Sequence, residues 1–168
     1  MKIALLVPMY NEEESLPLFW EETQTILQTL PDAQFEYAFV NDGSTDGTLA
    51  QLKELAQKNP NVKVISLARN FGKEAALTAG LLEAAKADAV IVLDADLQDP
   101  PSLIPAFVEK FKQGFDVVYG QRESRRKDSF LKRFTARGFY KFHNAIADRP
   151  LPEDAGDCRL LSRRAARA

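Results

Sequence analysis

Five short apolar runs recur along this chain: IALLVP (3–8), FEYAFV (35–40), VKVISL (62–67), AVIVL (89–93) and DVVYG (116–120). Runs this short and this continuous read as strands covered on both faces. Stretches with helical character separate them. Residues 13–30 carry Leu16, Phe19, Trp20, Ile26, Leu27 and Leu30 at mainly helical spacing. Asp46 can cap a helix carrying Leu49, Leu52 and Leu55. Residues 72–86 are rich in Ala, Leu, Glu and Lys, residues 102–112 follow a double proline, and about 129–147 are helical again. Such alternation specifies an α/β fold with a mostly parallel sheet flanked by helices. The 168 residues are enough for one domain with a substantial core.

In sheets of this kind ligands bind beyond the carboxyl ends of the strands. The strand-end residues are Pro8-Met9-Tyr10-Asn11-Glu12, Asn41-Asp42-Gly43-Ser44, Ala68-Arg69-Asn70 and Asp94-Ala95-Asp96. VNDGSTDGT (40–48) admits two readings. It is a well-made strand-to-helix turn, with Gly43 and Gly47 relaxing the backbone. It is equally a nucleotide-binding loop, whose Asp42 accepts from a base N–H or a ribose hydroxyl. The chain lacks GxxxxGK[ST], so this is no Walker loop, and it lacks GxGxxG after the first strand.

DADLQDPP (94–101) puts two carboxylates two residues apart. On an extended segment both face the same way. Like charges so close repel unless a cation joins them. Oxygen-only ligands suit Mg2+ or Mn2+, and Mg2+ takes one or two carboxylates and completes its shell with water and substrate phosphates. Asp94 and Asp96 therefore point to a divalent ion bridging the protein to a diphosphate. Asp99 reads instead as a cap for the next helix, because Pro100 and Pro101 fit a helix start.

Composition narrows the classes. The single cysteine, Cys158, excludes an internal disulfide, and the lone His143 argues against a histidine-rich zinc site. No apolar run is long enough to span a bilayer. The start, MKIALLVPMYNEEES, meets Pro8 and three acids too soon for a secretory signal. The chain is expected in the cytoplasm or on a cytoplasmic membrane face. Its net charge of −2 hides a basic segment, 122–143, with eight Lys or Arg against two acids. Phe130, Phe134, Phe142 and Ile146 interleave with these cations. The segment reads as a core helix with a solvated basic face, as a helix at an anionic membrane surface, or as both. No nucleic-acid-binding motif accompanies the charge, so no nucleic acid is expected as partner.

Taken together, VPMYNEEESLP, VNDGSTDGT, LARNFGKEAALTAG, DADLQDPP and GDCRLLSRR occur in order over Ile3 to Arg164. In this the chain resembles glycosyltransferase family 2, with its GT-A nucleotide-diphospho-sugar transferase fold. More narrowly it resembles the polyprenyl-phosphate sugar transferases, the bactoprenol glucosyltransferase and dolichol-phosphate mannosyltransferase group. The resemblance implies that Pro8, Tyr10 and Glu12 line a nucleoside pocket and that Asp42 contacts the base. It implies Arg69 and Lys73 near the nucleotide phosphates, Asp94 holding the nucleotide, Asp96 on the metal, and Asp157 near the reacting centre. It further implies an inverting transfer of a hexose to a polyprenyl phosphate at the cytoplasmic membrane face. UDP-glucose is the expected donor, although the motifs do not separate UDP from GDP.

A phosphate monoester loses its second proton near pH ~6 and is nucleophilic without help. Asp157 would then orient the acceptor, whereas a saccharide or protein hydroxyl would need it as a base. The plain alternative is a loop carboxylate in the turn DAGDCRL paired with Arg159. A second enzyme reading keeps the donor and uses a hydroxyl acceptor, but the QxxRW pattern of processive synthases is missing. A third has the chain bind a nucleotide sugar without turnover. The chain departs from the branch at Cys158, where an aromatic residue is usual. The resemblance also implies acceptor-site residues and transmembrane helices beyond residue 168, so a single catalytic domain over 1–168 is expected to be a truncated one.

Overall fold

The computed structural model describes the backbone of residues 1–121 and 155–167, with side chains through residue 120 and from Cys158 onward. The helix expected over 129–147, the basic segment 122–143 and His143 lie outside these residues. Met1–Tyr119 and Asp157–Ala168 form one compact unit and Gly120–Gly156 a second.

All five expected strands are present: β1 (Lys2–Met9), β2 (Gln34–Asn41), β3 (Val62–Ser66), β4 (Ala89–Val92) and β5 (Val117–Gln121). Between them run α1 (Ser15–Leu27), α2 (Thr48–Lys58), α3 (Lys73–Ala84) and α4 (Ile104–Lys112), the last preceded by a 3-10 turn at Pro101–Leu103. A sixth strand, β6 (Ala155–Ser162), occupies the segment read as the turn DAGDCRL, and a short α5 (Arg163–Ala166) follows it. The sheet order is β3-β2-β1-β4-β6-β5. β1 runs parallel to β2 and β4, and β2 parallel to β3, while β6 is antiparallel to β4.

Strand alternation divides the core between the two faces. Ile3, Leu5, Val7, Tyr37, Phe39 and Ile91 pack with Leu16 and Phe19 of α1, Leu52 of α2, and Ile104 and Phe107 of α4. Ala4, Leu6, Ala38, Val40, Val90 and Val92 face α3 through Ala76, Leu77 and Ala84. Small residues dominate this second face, so α3 lies close on the sheet. A Cβ added at Gly80 would come within 2.2 Å of Leu6 Cδ1 and 2.8 Å of Val40 Cγ2. The close fit seats the second half of α3 directly on β1 and β2. Gly80→Ala is expected to cost about 1–3 kcal/mol by overpacking, read as a lower melting temperature.

Asp99 does not cap a helix. Neither the 3-10 turn nor α4 has a side-chain cap hydrogen bond. The prolines explain this, because Pro100 and Pro101 have no N–H to offer, and the Leu103 N–H already goes to the Pro100 carbonyl at 3.1 Å. Asp99 is buried instead, and its Oδ2 accepts the Cys158 N–H at 3.3 Å. Among the described residues no helix is long and apolar enough to cross a membrane.

Candidate active site

The chain leaves the sheet in opposite directions at β1 and β4. β1 leads through α1 to β2 on one side, and β3 returns through α3 to β4 on the other. A crevice forms at the carboxyl ends where the order reverses. Here it is a cleft of about 310 Å³. β1 and the loop after it contribute Pro8, Met9, Tyr10 and Glu12, and the end of β2 contributes Asp42. Asn70 and Gly72 precede α3, which supplies Lys73 and Ala76, while Asp94, Ala95 and Asp96 follow β4.

Two of these loops are stitched together side chain to backbone. Asn11 adopts φ 55°, a left-handed conformation that asparagine tolerates. Its Oδ1 accepts the Thr45 N–H at 2.9 Å, and its own N–H goes to the Ser44 hydroxyl at 3.1 Å. The Glu12 N–H goes to Thr48 Oγ1 at 2.8 Å, and the Glu13 N–H to Asp46 Oδ2 at 3.2 Å. Asp46 also accepts from the Thr48 N–H at 3.0 Å and from the Thr48 hydroxyl at 2.6 Å. So Asp46 does serve the start of α2, but it equally fastens the β1 loop. Desolvation pushes its carboxyl up, yet the Thr48 and Glu13 donors outweigh this and hold it below its ordinary range. Those bonds stabilise the loops above that range and are lost as pH falls through the depressed value.

Asp42 is the buried anchor, 3 % exposed. Its Oδ1 accepts the Phe71 N–H at 2.8 Å and its Oδ2 the Gly72 N–H at 2.9 Å. This carboxylate therefore shapes the loop entering α3 as well as lining the cleft. The loop lies tight against the chain after Asp42. Gly43 has φ 67°, and a Cβ there would be 2.3 Å from the Arg69 carbonyl carbon and 2.5 Å from the Asn70 nitrogen. Only glycine allows that approach.

Also on the cleft, Lys73 Nζ meets Asp94 Oδ2 at 2.8 Å. Here the local geometry differs from expectation. β4 stops at Val92, and Asp94–Asp96 enter a turn rather than continuing extended. Leu97 takes φ 58° and packs partly buried against the core, and the Gln98 N–H goes to Asp96 Oδ1 at 3.0 Å. The turn still leaves both acids on the cleft, Asp94 half-buried and Asp96 exposed.

The structure thus brings Pro8, Tyr10, Glu12, Asp42, Lys73, Asp94 and Asp96 to one cleft. Arg69 does not line it, because its guanidinium lies 4.4 Å from the centroid of the exposed Phe71 ring. Asp157 lies on β6, and its side chain falls outside the described residues. The ladder pairs Val92 with Arg159 and Ile91 with Leu160. Asp157 lies two residues beyond Arg159 on β6, as Asp94 lies two residues beyond Val92. Cys158, where an aromatic residue was expected, is 1 % exposed and part of the core. Burial, with the Asp99 and Asp94 carboxylates nearby, pushes its thiol up to about 12. At pH ~8 the native chain should resist a disulfide-exchange reagent that titrates one thiol in the unfolded chain.

Four carboxylates and one ammonium line the cleft. A diphosphate added to that surplus of negative charge needs a cation. Among the described residues no three His, Cys, Asp or Glu side chains cluster to hold an ion by themselves. An exposed Asp96 on a turn fits an ion that draws most of its shell from water and ligand phosphates.

Solved structures share this architecture. Staphylococcus aureus TarS in complex with UDP-GlcNAc has a TM-score of 0.56 at 26% identity, over 77% of this chain and 36% of that one. The glucosyl-3-phosphoglycerate synthase of Mycobacterium tuberculosis in complex with UDP has a TM-score of 0.63 at 21% identity, over 97% of this chain and 57% of that one. The fold is therefore the GT-A fold. Residues 4–168 match glycosyl transferase family 2, and the chain belongs to that family. The bactoprenol glucosyl transferase of Shigella phage SfV is 47% identical over 163 residues, covering 97% of this chain. The chain spans about half the length of that relative, 52%.

Proposed function

We propose that this chain carries the donor site and reacting centre of an inverting glycosyltransferase. It moves a hexose, glucose on this reading, from a UDP-sugar to a polyprenyl phosphate at the cytoplasmic face of the membrane. The observation that carries the reading is the cleft at the β1–β4 switch point, lined by Asp42, Lys73, Asp94 and Asp96. The 47% identity to a bactoprenol glucosyl transferase supports the choice of sugar and acceptor.

Pro8, Tyr10 and Glu12 flank the nucleoside, and Asp42 serves the base while holding the loop to α3. Lys73, paired with Asp94, faces the diphosphate. Asp96, with water and phosphate oxygens, would hold Mg2+ or Mn2+. When bound, the ion supplies positive charge at the departing diphosphate. The acceptor phosphate attacks the anomeric carbon from the face opposite the leaving nucleoside diphosphate, so one displacement inverts that centre. A dianionic phosphate needs no proton removed, and Asp157 orients it. The basic segment 122–143 meets the anionic lipid surface in this account.

The test is transfer of label from UDP-glucose to a short-chain polyprenyl phosphate, extracted into organic solvent. Label in the organic phase is expected, with Asp157→Asn reducing the rate about tenfold. A loss of 10³–10⁴-fold, or label passing only to a saccharide hydroxyl, would show instead that Asp157 is a general base for a hydroxyl acceptor.

A further inference from the structure

The β4–β6 ladder ends one residue short of the cleft. Its last pair is Val92 with Arg159, after which β4 turns away toward Asp94. By strand alternation the Cys158 N–H points away from β4, as does the Ser162 N–H, which goes to the Asp116 carbonyl at 2.7 Å. The Cys158 N–H is met by the carboxylate of Asp99, which has come back around the turn, 59 residues away in sequence and only 6 % exposed. A buried carboxylate is costly to keep, and here a backbone N–H offsets part of that cost. The residue it fixes adjoins Asp157. Asp99 belongs to the same loop as Asp94 and Asp96 but does not line the cleft. One rigid loop thus carries the donor-side acids on one face and grips the strand bearing Asp157 on the other.

We propose that Asp99 is a positioning residue for the transfer step, setting the backbone at Asp157 against Asp94 and Asp96. The inference rests on the proposed role of Asp157. Because Asp99 lies off the cleft lining, its removal should lower kcat and leave donor affinity intact. A misplacement of about 1 Å at a reacting centre costs up to about 10²-fold in rate.

The experiment compares Asp99→Ala, Asp99→Asn and Asp157→Asn in transfer from UDP-glucose to a polyprenyl phosphate, with hydrogen exchange at the Cys158 amide. Asp99→Ala is expected to lower kcat about tenfold, with donor KM within about twofold and amide protection lost. Asp99→Asn keeps an oxygen for the Cys158 N–H, so protection and a kcat within about threefold of the parent are expected. This arm decides the matter even where the alanine variant does not fold. Three results overturn the inference: a folded Asp99→Ala at the parental kcat, an Asp99→Asn that retains protection but is as slow as alanine, or amide protection lost in Asp99→Asn at full rate. A slow Asp157→Asn beside a fast Asp99→Ala overturns this inference alone. An Asp157→Asn at the parental rate overturns the reading of Asp157 as well.

Discussion

Asp42→Ala is expected to abolish nucleotide binding, weakening it by more than about 100-fold, and to destabilise the folded chain by about 3–5 kcal/mol. The reason lies in the two hydrogen bonds. Each oxygen of this buried carboxylate accepts one backbone N–H, from Phe71 and from Gly72. Truncation leaves the Phe71 N–H without this acceptor and the Gly72 N–H with only Asn70 Oδ1, at 3.0 Å, and bonds to a charged partner are worth about 1.5–3 kcal/mol each. The loop they hold enters α3 and places Asn70, Gly72 and Lys73 on the cleft. Asp42→Asn should fare little better, because an amide has one acceptor oxygen and would set its NH2 group against one of the two N–H donors. Denaturant unfolding and nucleotide titration on both variants check this. A variant that kept full stability and full affinity would remove Asp42 from the account.

Asp96→Ala is expected to behave in the opposite way. The side chain is exposed, and among the described residues its one hydrogen bond is from the Gln98 N–H, so stability should change by no more than about 0.5 kcal/mol. Transfer should nevertheless fall about 10²–10³-fold, since stabilising charge at the leaving group is worth several kcal/mol. Added Mg2+ or Mn2+ should no longer change nucleotide affinity. Equal melting temperatures with unequal activities would separate this ligand role from the structural role of Asp42. If Asp96→Ala kept its metal response, the ion would have to be held elsewhere.

The parallel core was legible because strands buried on both faces must be nearly all apolar, and β1, β2 and β4 are. β6 escaped that rule. Its first half, AGDC, has no apolar run, and the only clue is that Cys158, Leu160 and Ser162 are buried at every second position. The acids of the cleft were legible as carboxylates at strand ends, where hydrophobic patterning gives no reason for them. What each carboxylate holds was not legible. Asp42 and Asp99 find backbone partners 29 and 59 residues away, and local spacing carries no record of such pairs. The two prolines after Asp99 look like a helix start and are one, yet they remove the very N–H groups a cap would need. Asp94 and Asp96 reach the same cleft through a turn with Leu97 at positive φ, not through an extended strand.

Nucleotide-diphosphate affinity in this cleft should depend on a divalent ion held at Asp96. Calorimetric titration of UDP, with GDP for comparison, tests this most directly when done with and without Mg2+ or Mn2+ on the parent chain and on Asp96→Ala. UDP should bind more tightly than GDP, the ion should strengthen binding, and Asp96→Ala should lose the ion's contribution while remaining folded. A folded parent chain that bound neither nucleotide, or bound UDP identically with and without the ion, would contradict this.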